Sequence, residues 1–342
     1  MRIVVIGAGA IGGCVAGYLK KAGQDVVLIG RQDQVDAINQ KGLNIKGVRG
    51  AETICVPAAV KMIEPTDLII FAVKSQDMED AFAVNADFLD TGLVLTTQNG
   101  VQSDNILSSH FEKDRQLSSI VMFGATYVKP GEITFNFEGD WIIGRPFSPV
   151  DPTAHRIAEV LGKAFKVVIS TDITGMKYLK LFVNFNNCIP ALVGKSMQET
   201  FADMDLCRLS IMLLKEGVQI IQDTKIELAS MPDFPKEKIF GLVGMPLEQA
   251  AGIINKTLTN LSKEPLYGSI LQSIMRGKTS EIDFINGEVV QLAKHMKFAC
   301  PLNEKIVDMV HEVERTGKYF TFDQVKNAFN TGEILCQKPQ NL

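Results

Sequence analysis

Three glycines spaced Gly7-x-Gly9-x-x-Gly12, an arginine at position 31, and a row of one amine and two amides at Lys180, Asn184 and Asn187 are residues whose types and spacing could do chemistry. The glycines suit a pyrophosphate: Gly7 for a tight turn, Gly9 for close approach of the backbone to the ligand, Gly12 for close packing of the next helix on its strand. The start of that helix supplies free N–H groups and a partial positive charge. Gly30-Arg31 stands where an acid would accept hydrogen bonds from ribose hydroxyls and repel a 2′-phosphate. A guanidinium fork suits a phosphate dianion, so NADPH/NADP+ is the expected cofactor, with a solvated surface arginine as the alternative. Lys180, Asn184 and Asn187 lie at i, i+4 and i+7 and share one helical face amid Leu179, Phe182 and Val183. They suit the wall of a polar pocket or an ordinary solvated face. Glu281 reads as an acid in the first turn of a helix, which the helix dipole alone explains.

These residues need a frame. The apolar run Ile3 to Ile6 reads as a buried strand that opens directly into Gly7-Ala8-Gly9-Ala10-Ile11-Gly12 and a helix, and Asp25 to Ile29 is the second strand. Asp67 to Val73 is a strand ending at Lys74-Ser75-Gln76, and Leu93 to Thr97 one ending at Gln98-Asn99-Gly100. Strand ends of a doubly wound sheet point into its ligand crevice, which puts Lys74, Gln76 and Asn99 near the glycine turn. Gln34 to Gln40 and Asp77 to Phe88 read as helices, and Leu43 to Ile45 with Glu52 to Val56 reads as a small hairpin or a pair of edge strands. Residues 119–170 are β-rich around a helix at Thr153 to Phe165. Beyond Thr171 the period is helical throughout: Met176 to Leu192, with a break near Pro190, then Asp205 to Leu228, Phe234 to Leu261, Glu281 to Lys297 and Asn303 to Thr316. The expected fold class is α/β plus all-α, a Rossmann-type doubly wound sheet over 1–170 followed by a helical domain over 171–342. The tail from Lys338 to Leu342 reads as frayed.

Composition narrows the class. A length of 342 residues with 46% hydrophobic content suits two cores. A net charge of −4 without a basic block argues against nucleic acid or an anionic membrane as partner. Cys14, Cys55, Cys188, Cys207, Cys300 and Cys336 are scattered and read as small buried residues of a reducing compartment. His110, His155, His295 and His311 stand alone in the sequence and read as surface or core residues, so no metal site is expected. The amino terminus is not a signal peptide, and no stretch approaches the roughly 18 apolar residues that span a bilayer, so a cytoplasmic location is expected. The long helices could bury a homodimer face, although an apolar stripe is more often intramolecular core.

Taken in order, Gly7 to Gly12, Val73-Lys74-Ser75-Gln76, Thr97-Gln98-Asn99-Gly100-Val101, Lys180-Leu181-x-x-Asn184, Ser269-x-Leu271-Gln272 and Thr279 to Gly287 make the chain resemble the ketopantoate reductase (2-dehydropantoate 2-reductase) family from Arg2 to about Val313. The resemblance implies NADPH-dependent reduction of 2-dehydropantoate to (R)-pantoate on the route to coenzyme A. It implies Lys180 as the general acid that protonates the developing alkoxide, and Glu281 as the residue orienting both the substrate hydroxyl and the lysine. Ser269 would bind the substrate carboxylate, Asn184 and Asn99 the substrate, with Asn99 also touching the cofactor, and Lys74 and Gln76 would line the nicotinamide ribose and diphosphate. Many members continue the lysine helix with Asn-Pro; here Asn187-Cys188-Ile189-Pro190 stands instead, so one substrate amide is either replaced by Cys188 or supplied by Asn187. A reductase of another small 2-oxo acid and a non-catalytic dinucleotide sensor remain as alternatives.

Overall fold

The computed structural model describes residues 1–329. The chain divides into two compact units, Met1–Thr174 and Gly175 onward, against an expected boundary near Ser170. The expectations for the tail at 338–342 and for Cys336 lie outside the described residues.

The strands are Arg2–Ile6 (β1), Asp25–Ile29 (β2), Leu43–Gly47 (β3), Gly50–Ile54 (β4), Ala58–Ala59 (β5), Leu68–Phe71 (β6), Leu93–Thr96 (β7), Gln116–Val121 (β8), Gly124–Lys129 (β9), Glu132–Phe137 (β10), Trp141–Gly144 (β11) and Val167–Ile169 (β12). The helices of the first unit are Ala10–Lys21 (α1), Gln32–Lys41 (α2), Met78–Asn85 (α3), Gln102–Ser108 (α4) and Pro152–Gly162 (α5). Eight strands form one sheet in the order β12-β11-β8-β7-β6-β1-β2-β5. It is parallel except where β11 runs against β8. At its centre Val4 pairs with Val27 of β2 and Ile69 of β6. Ile3 and Val5 pack with Val15, Leu19, Ile157 and Leu161, while Val4 and Ile6 pack with Met78, Phe82 and Leu107. Successive residues of a strand point to opposite faces, so a continuous apolar run is what a strand covered by helices on both sides requires.

A second sheet, in the order β4-β3-β10-β9, contains the expected hairpin. Its strand β9, Gly124–Lys129, left no trace in the apolar pattern because none of its residues is fully buried. Trp141 of β11 is a packing residue: it is fully buried and donates its indole N–H to Ser119 Oγ at 2.8 Å.

The second unit is helical: Ile173–Asn184 (α6), Cys188–Val193 (α7), Met197–Phe201 (α8), Met204–Asp223 (α9), Glu237–Gly244 (α10), Leu247–Thr259 (α11), Ser269–Met275 (α12), Asn286–Met296 (α13), Pro301–Thr316 (α14) and Phe322–Ala328 (α15). The central helix α9 starts at Asp203, whose carboxylate accepts from the N–H groups of Asp205 at 2.8 Å and Leu206 at 3.3 Å. That acceptor satisfies donors the helix itself leaves open.

Three expected helices differ in detail. The stretch from Phe234 to Leu261 is two helices, because Pro246 caps α11 and the chain turns extended at Met245. The stretch from Met176 to Leu192 is broken by a 3-10 turn at Phe185–Asn187, one turn ahead of Pro190, whose missing N–H cannot serve the carbonyl four residues back. Glu281 does not sit in the first turn of an α-helix: it precedes a 3-10 turn at Ile282–Phe284, and α13 begins only at Asn286. Its explanation by the helix dipole therefore falls away. Cys14, Cys188, Cys207 and Cys300 are buried as expected, whereas Cys55 is exposed, lying past the end of β4 where alternation turns it outward.

Candidate functional site

In the first unit β1 runs into a turn whose glycines answer to different constraints. Gly7 has φ +118°, and a Cβ there would meet Val73 N at 2.6 Å and Ala72 C at 2.7 Å. A Cβ on Gly12 would strike the carbonyl oxygen of Gly7 and reach Ala72 Cβ at 2.9 Å. Gly9 is different: its φ of −83° suits any residue, and a Cβ on it would touch nothing within 4 Å. No contact within the protein calls for glycine there, and the open space is what an approaching phosphate needs. No side chain caps α1 and no acid stands in its first turn, so Ala10, Ile11 and Gly12 offer the electropositive end of a helix.

Arg31 caps the carbonyl end of β2 as the residue before α2, exposed and without an ion pair among the described residues. It is placed by Gln34, a residue sequence reasoning left aside. Gln34 is buried, accepts the Arg31 N–H at 3.0 Å, and donates to the carbonyl of Ala8 at 3.0 Å, tying the glycine turn to Arg31. Gly30 has to be small for the same reason, since its Cβ would lie 2.7 Å from Ala8 Cβ. A buried glutamine on a polar helix carries no signal in a sequence pattern.

Lys74 and Gln76 follow β6, and Asn99 follows β7. The loops are fastened to one another by Gln98, whose amide donates to the carbonyls of Phe71 at 3.0 Å and Val73 at 2.8 Å, and by Thr97, whose hydroxyl donates to Phe71 at 2.9 Å. With Ala72 N bonded to Ile6 at 2.8 Å, the ends of β1, β6 and β7 are brought together as expected of a doubly wound sheet. Lys74 and Asn99 are partly exposed and Gln76 fully so.

In the second unit Lys180 lies on α6 with its pKa lowered from 10.5 to about 8. Desolvation is the largest cause, the charge of Lys177 one turn earlier adds to it, and Glu281 opposes both. Lys177 is only 3% exposed, and its influence could have been read from the i−3 spacing. The charge of Glu281 therefore acts on Lys180. Tyr178, beside them in sequence, is pushed up to about 12 by burial and by Glu288.

The three amides after Lys180 part company. Asn186 accepts a hydrogen bond from Ser210 on α9 and is structural. Asn184 ends α6, and its Nδ2 is buried with no partner among the described residues. An unsatisfied buried donor costs about 1–3 kcal/mol, so the position is poised for an acceptor. The 3-10 turn that follows brings side chains three apart into line, which keeps Asn187 beneath Asn184. Asn187 lies against the residue before Ser269, since a Cβ on Gly268 would come 2.6 Å from Asn187 Oδ1. The amide and the start of α12 are therefore neighbours. Cys188 does not replace an amide: it is fully buried, its thiol donates to the Phe185 carbonyl at 2.9 Å, and burial pushes its pKa up to about 12. Among the described residues no His, Cys, Asp and Glu cluster is arranged to hold a metal, and no helix is long and apolar enough to cross a membrane.

The chain matches known proteins over most of its length. Residues 3–146 match the family model described as ketopantoate reductase PanE/ApbA, and residues 172–314 match that of its C terminal. The 2-dehydropantoate 2-reductase of Pyrococcus horikoshii is 30% identical over 93% of this chain and 99% of its own. That of Archaeoglobus fulgidus is 27% identical over 92% and 98%. Among solved structures, D-mandelate dehydrogenase with NADH and anilino(oxo)acetate superposes with a TM-score of 0.80 at 20% identity, covering 92% of this chain and 99% of that one. A PanE/ApbA family ketopantoate reductase from Ralstonia eutropha JMP134 does so at 0.77 and 23%, with the same coverage. At those identities the structures speak for the fold alone. With both models matched over most of its length, the chain belongs to the ketopantoate reductase PanE/ApbA family.

Proposed function

We infer that the protein is an oxidoreductase that reduces 2-dehydropantoate to pantoate with a reduced nicotinamide dinucleotide, preferentially NADPH. The reading is supported by Lys180, an amine on α6 whose pKa burial and the charge of Lys177 lower to about 8 while the charge of Glu281 opposes them. It stands in a chain aligned almost end to end with curated 2-dehydropantoate 2-reductases. A dinucleotide sensor would have no use for a tuned proton donor.

When bound, the reduced dinucleotide supplies the hydride. The turn from Gly7 to Gly12 holds its pyrophosphate, Arg31 its 2′-phosphate, and Lys74, Gln76 and Asn99 its nicotinamide side. Asn184 and Asn187 donate to substrate oxygens, Ser269 to the substrate carboxylate, and Glu281 orients the substrate hydroxyl and Lys180. Lys180 polarises the keto oxygen and gives it a proton as negative charge develops there, which an acid poised near the working pH does best. Steady-state rates on 2-dehydropantoate with NADPH and with NADH test the assignment. Turnover with neither, or faster turnover on unrelated 2-oxo acids, would remove it.

Arg31→Ala is expected to raise KM for NADPH by roughly 10-fold or more, the loss of a charge-assisted hydrogen-bonded pair, while KM for NADH stays near its wild-type value. Equal losses would show that the guanidinium does not read the phosphate.

Lys177→Met removes the like charge that holds Lys180 down. The pKa of Lys180 should then rise, although burial still holds it below 10.5, and the alkaline fall in kcat/KM should move up in pH with it. A pH–rate profile checks this, and an unmoved or acid-shifted limb would contradict it.

A further inference from the structure

The segment carrying Glu281 is fastened to α14 on both sides of that residue, and one of its fastenings is a histidine held between two carboxylates. Ser280, just before Glu281, donates its backbone N–H to Glu314 Oε1 at 2.6 Å. The other oxygen of Glu314, Oε2, lies 2.9 Å from His311 Nδ1. The far ring nitrogen, His311 Nε2, lies 3.0 Å from Asp283 Oδ1, two residues beyond Glu281. Further on, Asn286 Nδ2 donates to Asn303 Oδ1 of α14 at 3.0 Å, so the turn is tied down at its start, middle and end.

Each nitrogen of His311 faces a carboxylate oxygen, and an ionised carboxylate can only accept. Both contacts are hydrogen bonds only when the ring carries both protons; a neutral ring satisfies one carboxylate and turns a lone pair on the other. Desolvation pulls the pKa of His311 down, but the hydrogen bonds to Glu314 and Asp283 outweigh it and leave the value raised above 6.5. Those two acids, one on its own helix and one on the 3-10 turn, are the charged groups that face the ring. The His311 side chain is 43% exposed, so the ring exchanges protons with solvent.

We propose that His311, as the imidazolium, is a positioning residue for Glu281: a clasp that holds the turn on α14 below the pKa of its ring and loosens as pH rises through it. The sign follows from linkage. A folded-state pKa above the unfolded one gives a contribution fully present below the unfolded value and lost on passing the folded one. The inference rests on the assignment of Glu281 to the substrate, and the experiment separates the two.

The test measures kcat and KM for 2-dehydropantoate and for NADPH from about pH 6 to 8.5 in the wild type, His311→Gln, Asp283→Asn and Glu281→Gln. The clasp variants should each raise KM for 2-dehydropantoate roughly three- to tenfold near pH 6, the loss of one charge-assisted hydrogen bond, with KM for NADPH unmoved. Their ratio to wild type should approach one as the pH is raised through the pKa of His311, where the wild-type clasp itself opens. A merely structural loss would instead be the same at every pH, and that result overturns the proposal. Two variants at wild-type KM near pH 6 beside an impaired Glu281→Gln also overturn it, leaving the role of Glu281 intact. A Glu281→Gln enzyme as active as wild type removes the role of Glu281 and the clasp with it.

Discussion

Lys180→Ala is expected to lower kcat for 2-dehydropantoate by roughly 10²–10⁴-fold, the range a positioned general acid contributes, with Kd for NADPH close to wild type. The size follows from what the fold invests in this amine. Desolvation and Lys177 bring its pKa to about 8, so at neutral pH it is still protonated yet a far stronger acid than a solvated lysine. Both properties vanish with the side chain, and His311, on the segment packed against the Glu281 turn, is already engaged with Glu314 and Asp283. Single-turnover rates with saturating NADPH would expose the loss directly. An effect confined to a rise in KM would mean that Lys180 binds the substrate without giving up a proton.

A second large effect separates two glycines that a sequence motif treats alike. Gly9→Ala places its methyl group in space the protein leaves open, so the thermal stability of the ligand-free protein should hardly change. The same methyl group stands where a pyrophosphate would lie, and a displacement of about 1 Å there is expected to cost roughly 10²-fold in catalytic efficiency, accompanied by a rise in Kd for NADPH. Gly12→Ala drives a Cβ into the Gly7 carbonyl and against Ala72, so it should lose about 1–3 kcal/mol of stability as well as dinucleotide binding. Calorimetry with and without NADPH distinguishes the two patterns. Equal stability losses would mean that Gly9 serves the fold and not the ligand.

How much of this was legible beforehand depended on whether a residue's role is local. The apolar run of β1 and the glycine spacing declare a strand, a turn and a helix, because each follows from the residues immediately around it. The stripe of Lys180, Asn184 and Asn187 could be read as a face, but not the sorting of its amides. Asn186 is claimed by Ser210, which lies 24 residues away, and Asn187 lies beside Gly268, far beyond it in sequence. Gln34 and Gln98 act by bonding backbone carbonyls of distant loops, which polar side chains do without altering any periodicity. Glu281 was misplaced onto a helix because Ile282, Ile285 and Val289 keep helical spacing while the backbone is a 3-10 turn for part of the way. His311 looked solitary in the sequence; its partners Asp283 and Glu314 are brought to it only by the packing of α14 on the turn.

The central claim is that Lys180 delivers the proton. The pH dependence of single-turnover reduction of 2-dehydropantoate by the wild-type enzyme tests it most directly, followed through the nicotinamide absorbance with Lys180→Ala as reference. The account predicts a rate that falls tenfold for each pH unit above about 8 in the wild type, and a residual rate in the variant without that limb. A wild-type rate that stays flat well past pH 8, or a variant that keeps the same alkaline fall, would contradict it.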